Sequence, residues 1–117
     1  NNTSGSAVFV GYLSRANLSN TGIKNFTVGL ESVRGGDITV KDGYITNVRY
    51  GVTSFSPESY VSLDGTVLNV IDGGVRSSGS GVMLKGVGLV AKEGAIGIEA
   101  EKRGAVVVKS SKILISP

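Results

Sequence analysis

Apolar and polar residues alternate along this chain in short runs, and the runs recur. Between residues 36 and 75 one phrase occurs twice, GDITVKDGYITNVRYGV and then SYVSLDGTVLNVIDGGV. Aligned, Val40 meets Leu63, Gly43 meets Gly65, Asn47 meets Asn69, Val48 meets Val70, and Gly51-Val52 meets Gly74-Val75, at a nearly constant step. Alternation with a period of two marks a strand that is buried on one side. When such strands return every twenty-odd residues with Gly or Asn between them, the pattern predicts stacked windings of about three short strands each.

The same phrase extends in both directions. Downstream, Gly86 stands one step beyond Gly65 and Gly97-Ile98 one step beyond Gly74-Val75, while residues 105–108 and 112–115 begin a last partial winding. Upstream, residues 16–23 align on residues 46–52, which places Asn17 on Asn47 and Gly22 on Gly51. The step from Gly22 to Gly51 is longer than the others and predicts an insertion within residues 24–37, with a strand at 26–30 and a turn at 34–37. Residues 1–6 read as a flexible lead-in and residues 7–117 as a single domain. No window carries sustained apolar spacing of three and four among helix-forming residues, so little or no α-helix is expected.

Composition agrees with sheet. Of the 117 residues 40% are hydrophobic but only 6% aromatic, and 18 are Gly, so branched aliphatics supply the core and glycines the turns. The length suits one core. The net charge of +3 is spread along the chain, without the dense basic face and aromatic platforms that nucleic acid requires. There is no Cys and no His, which excludes disulfides, thiolate chemistry and imidazole bases or ligands. No metal or cofactor is expected. No run approaches the ~20 apolar residues of a membrane helix, and no membrane insertion is expected. The triplets starting at Asn1, Asn2, Asn17 and Asn25 fit the glycosylation pattern, yet Asn before Ser or Thr is also ordinary turn chemistry.

The series Ile38, Val40, Gly43, Ile45, Asn47, Val48, Gly51, Val52 resembles right-handed parallel β-helix proteins of the pectate-lyase-like class, over about residues 7–115. The resemblance implies an all-β, right-handed parallel β-helix of about five coils. It also implies aliphatic ladders inside the coil and an Asn ladder at a tight turn, for which Asn17, Asn47 and Asn69 are the matching positions. The class includes polysaccharide lyases and hydrolases, phage tailspikes and surface adhesins, which implies an extracellular, cell-surface or virion setting. Its lyases use Arg or Lys as base beside Asp-bound calcium, and no matching group of residues occurs in this chain.

On stacked windings a site is a column of side chains from successive repeats. Asp42 and Asp64, followed by Lys85, form the first candidate column. Two carboxylates one rung apart would stand at the spacing of a retaining glycosidase pair, although Asp-Gly is also good turn chemistry. A second column joins Arg49, Asp72 and Glu93 beside Tyr50, where a sugar ring could stack on the aromatic face while its hydroxyls meet charged partners. The run Glu99, Glu101, Lys102, Arg103 reads as a solvated strand face. The first and last windings carry no recognisable cap, and residues 112–116, KILIS, are strongly apolar. Open edges of that kind point to a homo-oligomer, a trimer among the forms, or to the remainder of a longer chain. The expected function is a structural and binding module that presents a rigid face to glycan. The alternatives are a fragment of a polysaccharide lyase or glycoside hydrolase, and a scaffold without a ligand.

Overall fold

The computed structural model describes residues 3–11, 14–55, 58–79, 81–92, 94–102 and 104–115, and all regular structure among them is β. The strands are β1 (Thr3–Val10), β2 (Arg15–Ser19), β3 (Gly22–Lys24), β4 (Phe26–Ser32), β5 (Asp37–Lys41), β6 (Tyr44–Phe55), β7 (Tyr60–Asp64), β8 (Val67–Ser78), β9 (Gly81–Lys85), β10 (Gly88–Ala91), β11 (Ile96–Glu101), β12 (Ala105–Lys109) and β13 (Lys112–Ile115). Every pairing is parallel, and the strands wind into a β-solenoid of about five turns. One sheet runs β12-β9-β7-β5-β2 and the other β1-β4-β6-β8-β10-β13. Both β3 and β4 lie against β6, and both β10 and β11 against β8, so the second sheet is folded into two faces. Each winding therefore has three sides.

Register explains the interior. Parallel strands stack like positions ~4.8 Å apart, and alternate residues of each strand point inward. The first side stacks Leu18, Val40, Leu63, Leu84 and Val108. The second stacks Ile23, Ile45, Leu68, Leu89 and Ile113, and the third Val8, Leu30, Val52, Val75 and Ile98. Their central members are at most 2% exposed, which places the hydrophobic gain in the middle windings. The interior is not aliphatic throughout. Ser32, Ser54 and Ser77 form a buried column on the third side, where Ser32 Oγ donates to the Gly36 carbonyl at 2.6 Å.

Each corner repeats one backbone device. Between the first and second sides Asn20, Asp42, Gly65, Gly86 and Ser110 all have left-handed φ. The amides of Asn20, Asp42, Gly65 and Gly86 donate to the carbonyls of Lys41, Asp64, Lys85 and Lys109 in the next winding, at 2.8–3.0 Å. One residue on, the hydroxyls of Thr21, Thr66 and Ser111 donate back to the carbonyl two residues earlier. Where the third side begins, Gly29, Gly51, Gly74 and Gly97 form a ladder, and at the first three there is no room for a side chain. A Cβ on Gly51 would lie 2.7 Å from the Gly74 carbonyl oxygen, and one on Gly74 2.5 Å from that of Gly97.

The first winding differs from expectation. Ile23 stands beside Ile45 and Leu30 beside Val52, each pair one ordinary step apart, so residues 24–37 contain no insertion. Gly29-Leu30, not Gly22-Ile23, occupies the Gly-aliphatic slot, because either pair satisfies the pattern and only the strand register separates them. The strand at Phe26–Ser32 is present, and the turn at residues 34–37 is a tight one closed by Gly36 N–H to the Val33 carbonyl at 2.9 Å. Among the described residues, Thr3 is already paired, opposite Phe26, inside the stretch expected to be a flexible lead-in.

Candidate functional site

The third side carries a groove, and its origin is a change of side-chain size along one outward column. In that column Val28, Tyr50, Gly73 and Ile96 succeed one another on β4, β6, β8 and β11. Gly73 has no side chain, so a hollow of about 370 Å³ opens between Tyr50 and Ile96, bordered by Asp72, Arg76 and Glu99. The Tyr50 ring leans over the gap, since a Cβ on Gly73 would come within 3.1 Å of its Cδ1. On the other flank of Tyr50 and Arg76 a shallower hollow of about 190 Å³ continues past Glu31, Thr53 and Phe55. Tyr50 and Arg76 line both, which makes them the shared ridge of one groove.

Charges on this side are held in pairs. Arg49 directs Nε and Nη2 at the same Asp72 oxygen, each at 2.6 Å, across the corner that precedes the groove. Arg76 donates from Nη2 to Glu101 at 2.6 Å, keeps Nε 3.6 Å from Glu99, and sits 5.5 Å above the Phe55 ring. The hydrogen bond to Asp72, and then its charge, raise the Arg49 pKa above the usual value; the bond to Glu101 is the first cause of the same shift in Arg76. Both groups are exposed, so these pairs orient side chains more than they stabilise the fold. Glu31 accepts from Ser6 Oγ at 2.5 Å. Among the described residues that line the groove or pair beside it, Glu31, Asp72, Glu99 and Glu101 outnumber Arg49 and Arg76, an acidic balance on a basic chain.

Of the sequence-derived candidates, Tyr50 and Asp72 line the groove, and Arg49 stands behind them, tied to Asp72. Glu93 and Arg103 lie outside the described residues. Sequence chemistry does not single out Arg76, Gly73 or Ile96. Glu99 and Glu101 read from the sequence as part of a solvated face, whereas both face Arg76. The available signal is Gly73-Gly74: reading the Tyr50 column forward gives Gly and then Ile, a large-small-large succession that hollows a sheet.

Two other columns are corrected by register. Asp64 pairs with Lys41 and Lys85, while Asp42 shares the left-handed corner position with Gly65. The carboxylates thus belong to neighbouring columns and are not two rungs of one. Among the three Asn positions, Asn17 pairs with Thr39 on the first side and Asn69 with Thr46 on β6. The contact that does form is from Asn47 Nδ2 to Asn25 Oδ1 at 2.6 Å, both residues left-handed at the second corner. Asn25 holds that corner because it precedes Asn47 by the same step that separates Ile23 from Ile45.

Among the described residues the other exposed tyrosines lie on other sides. Tyr44 on the second side packs over Gly22 of the preceding winding, and Tyr60 on the first packs over Gly81 of the following one. Each ring thereby fills the place of a missing side chain while its outer part meets solvent. No family model, curated protein or solved structure matches this chain.

Proposed function

We propose that this solenoid is a structural and binding module whose third side takes a glycan in the groove over Gly73. The supporting observation is the Tyr50 ring standing at the edge of a hollow that a single glycine creates, with Asp72, Glu99 and Arg76 around it. A pyranose presents an apolar C–H face and a rim of hydroxyls. The first matches an aromatic ring, and the second matches oriented carboxylates and a guanidinium. A concave site of a few hundred Å³ with a few polar groups is also of the size that small ligands occupy. The acidic balance of the groove favours neutral or amino sugars over uronic acids, because like charge would oppose a carboxylated ring. The wider setting we propose is a surface or virion-borne protein of the pectate-lyase-like kind.

A polysaccharide-cleaving role is less well supported, since Asp42 and Asp64 do not share a column. A glycan array followed by titration calorimetry tests the binding role. Wild-type protein should bind, Tyr50→Phe should retain the ring platform, and Tyr50→Ala or Gly73→Val should weaken binding at least tenfold. Absence of any glycan ligand at high protein concentration, or unchanged affinity in Tyr50→Ala, would leave only a scaffold.

A further inference from the structure

The hollow over Gly73 offers a ligand more acceptors than donors. Two carboxylates border it, Asp72 and Glu99, and their side chains are 34% and 40% exposed, open to contact yet partly withdrawn from water. Along the strand direction Asp72 precedes the column of Gly73 and Ile96, and Glu99, opposite Arg76, follows it, so the two carboxylates flank the hollow. Building on the glycan reading above, we infer that the groove selects an amino sugar whose amine is free and protonated. The ammonium is held between Asp72 and Glu99, and the ring lies on Tyr50.

Three observations carry this. The first is spare acceptor capacity. Arg49 spends both Nε and Nη2 on a single Asp72 oxygen, Oδ2, and among the described residues the other oxygen takes no hydrogen bond. Arg76 Nε stays 3.6 Å from Glu99, beyond hydrogen-bond length, so that carboxylate also keeps lone pairs for a ligand. The second is the direction of the Arg76 charge. Its Nη2 donates to Glu101 and its guanidinium lies over Phe55. Both partners share the column of Ser78, on the far side of Arg76 from Gly73, so the cation at the rim is turned away from the hollow. The third is the Tyr50 ring, whose face attracts a cation as well as an apolar C–H surface.

An ammonium carries three donors, no acceptor and a positive charge, which is what such a rim lacks. An acetamido group replaces that charge with a bulky acetyl and a carbonyl acceptor, for which the rim supplies few donors. The chain as a whole has a net charge of +3 and repels polycations, so a preference for free amines must arise locally.

Titration calorimetry tests it at mildly acidic pH, where the sugar amine is protonated, with a glucosamine oligomer and an N-acetylglucosamine oligomer of equal length as probes. Wild type should bind the free-amine oligomer about tenfold or more tighter, the scale of one charge-assisted hydrogen bond. Asp72→Asn and Glu99→Gln should each erode that preference and together abolish it, with the N-acetylated oligomer unaffected. Tyr50→Ala should weaken both oligomers. The inference is overturned if the glucosamine oligomer does not bind, if the N-acetylated oligomer binds as tightly or tighter, or if the preference survives the double variant. Where some glycan still binds and Tyr50→Ala still weakens it, the glycan reading stands and only the choice of sugar falls. Where no arrayed glycan binds, both fall.

Discussion

Asp42 holds a φ of 56° at the corner where the next two windings place Gly65 and Gly86. A side chain in that conformation costs roughly 1 kcal/mol, and a glycine does not. Asp42→Gly should therefore range from neutral to about 1 kcal/mol more stable in urea unfolding; a loss above that range would mean the carboxylate has a structural partner. Gly51 makes the opposite case. Gly51→Ala must push a methyl against the Gly74 carbonyl and Val70, and should destabilise by about 1–3 kcal/mol, whereas Gly88→Ala, with open space around it, should change little. Both Asp-Gly pairs announce turns in the sequence. Neither announces which of its residues takes the left-handed conformation, because the pairs stand one position apart relative to the corner. Strand register, which distant residues decide, settles that offset.

At the scale of elements, the second side shows what the alternating pattern can and cannot convey. Leu68 is fully buried between Ile45 and Leu89, while its neighbour Val67 is 49% exposed. Leu68→Ala should cost about 2–5 kcal/mol in urea unfolding. Val67→Ala should stay within about 0.5 kcal/mol. Equal costs at the two positions would contradict the inward and outward assignment. The central windings are legible because residues 36–75 repeat with both period and alternation intact. In the first winding Gly22-Ile23 and Gly29-Leu30 offer the same local signal, and Asn17, Asn20 and Asn25 compete for one corner, so local pattern does not choose among them. The groove is half legible. Tyr50 and Asp72 stand out by chemistry, but the hollow depends on Gly73 and Ile96 sharing a column with Tyr50, which emerges only once three windings are in register.

Over the whole molecule, cohesion declines toward the last winding. The interior members of the central windings are buried, while Val108, Ile113 and Leu114 remain 39–50% exposed, so β12 and β13 have fewer contacts to lose on opening. In hydrogen exchange their amides should exchange faster than those of β7 and β8. Asp42 and Gly65 occupy equivalent corner places and are followed by equivalent strands, so excising residues 43–65 would join Asp42 to Thr66 and leave every remaining junction in phase. Such a shortened protein should still fold, at lower stability and without Tyr50. Loss or duplication of one genetic unit of this size would change the rod's length without requiring a new bend, much as a spiral stair is altered by removing one complete revolution.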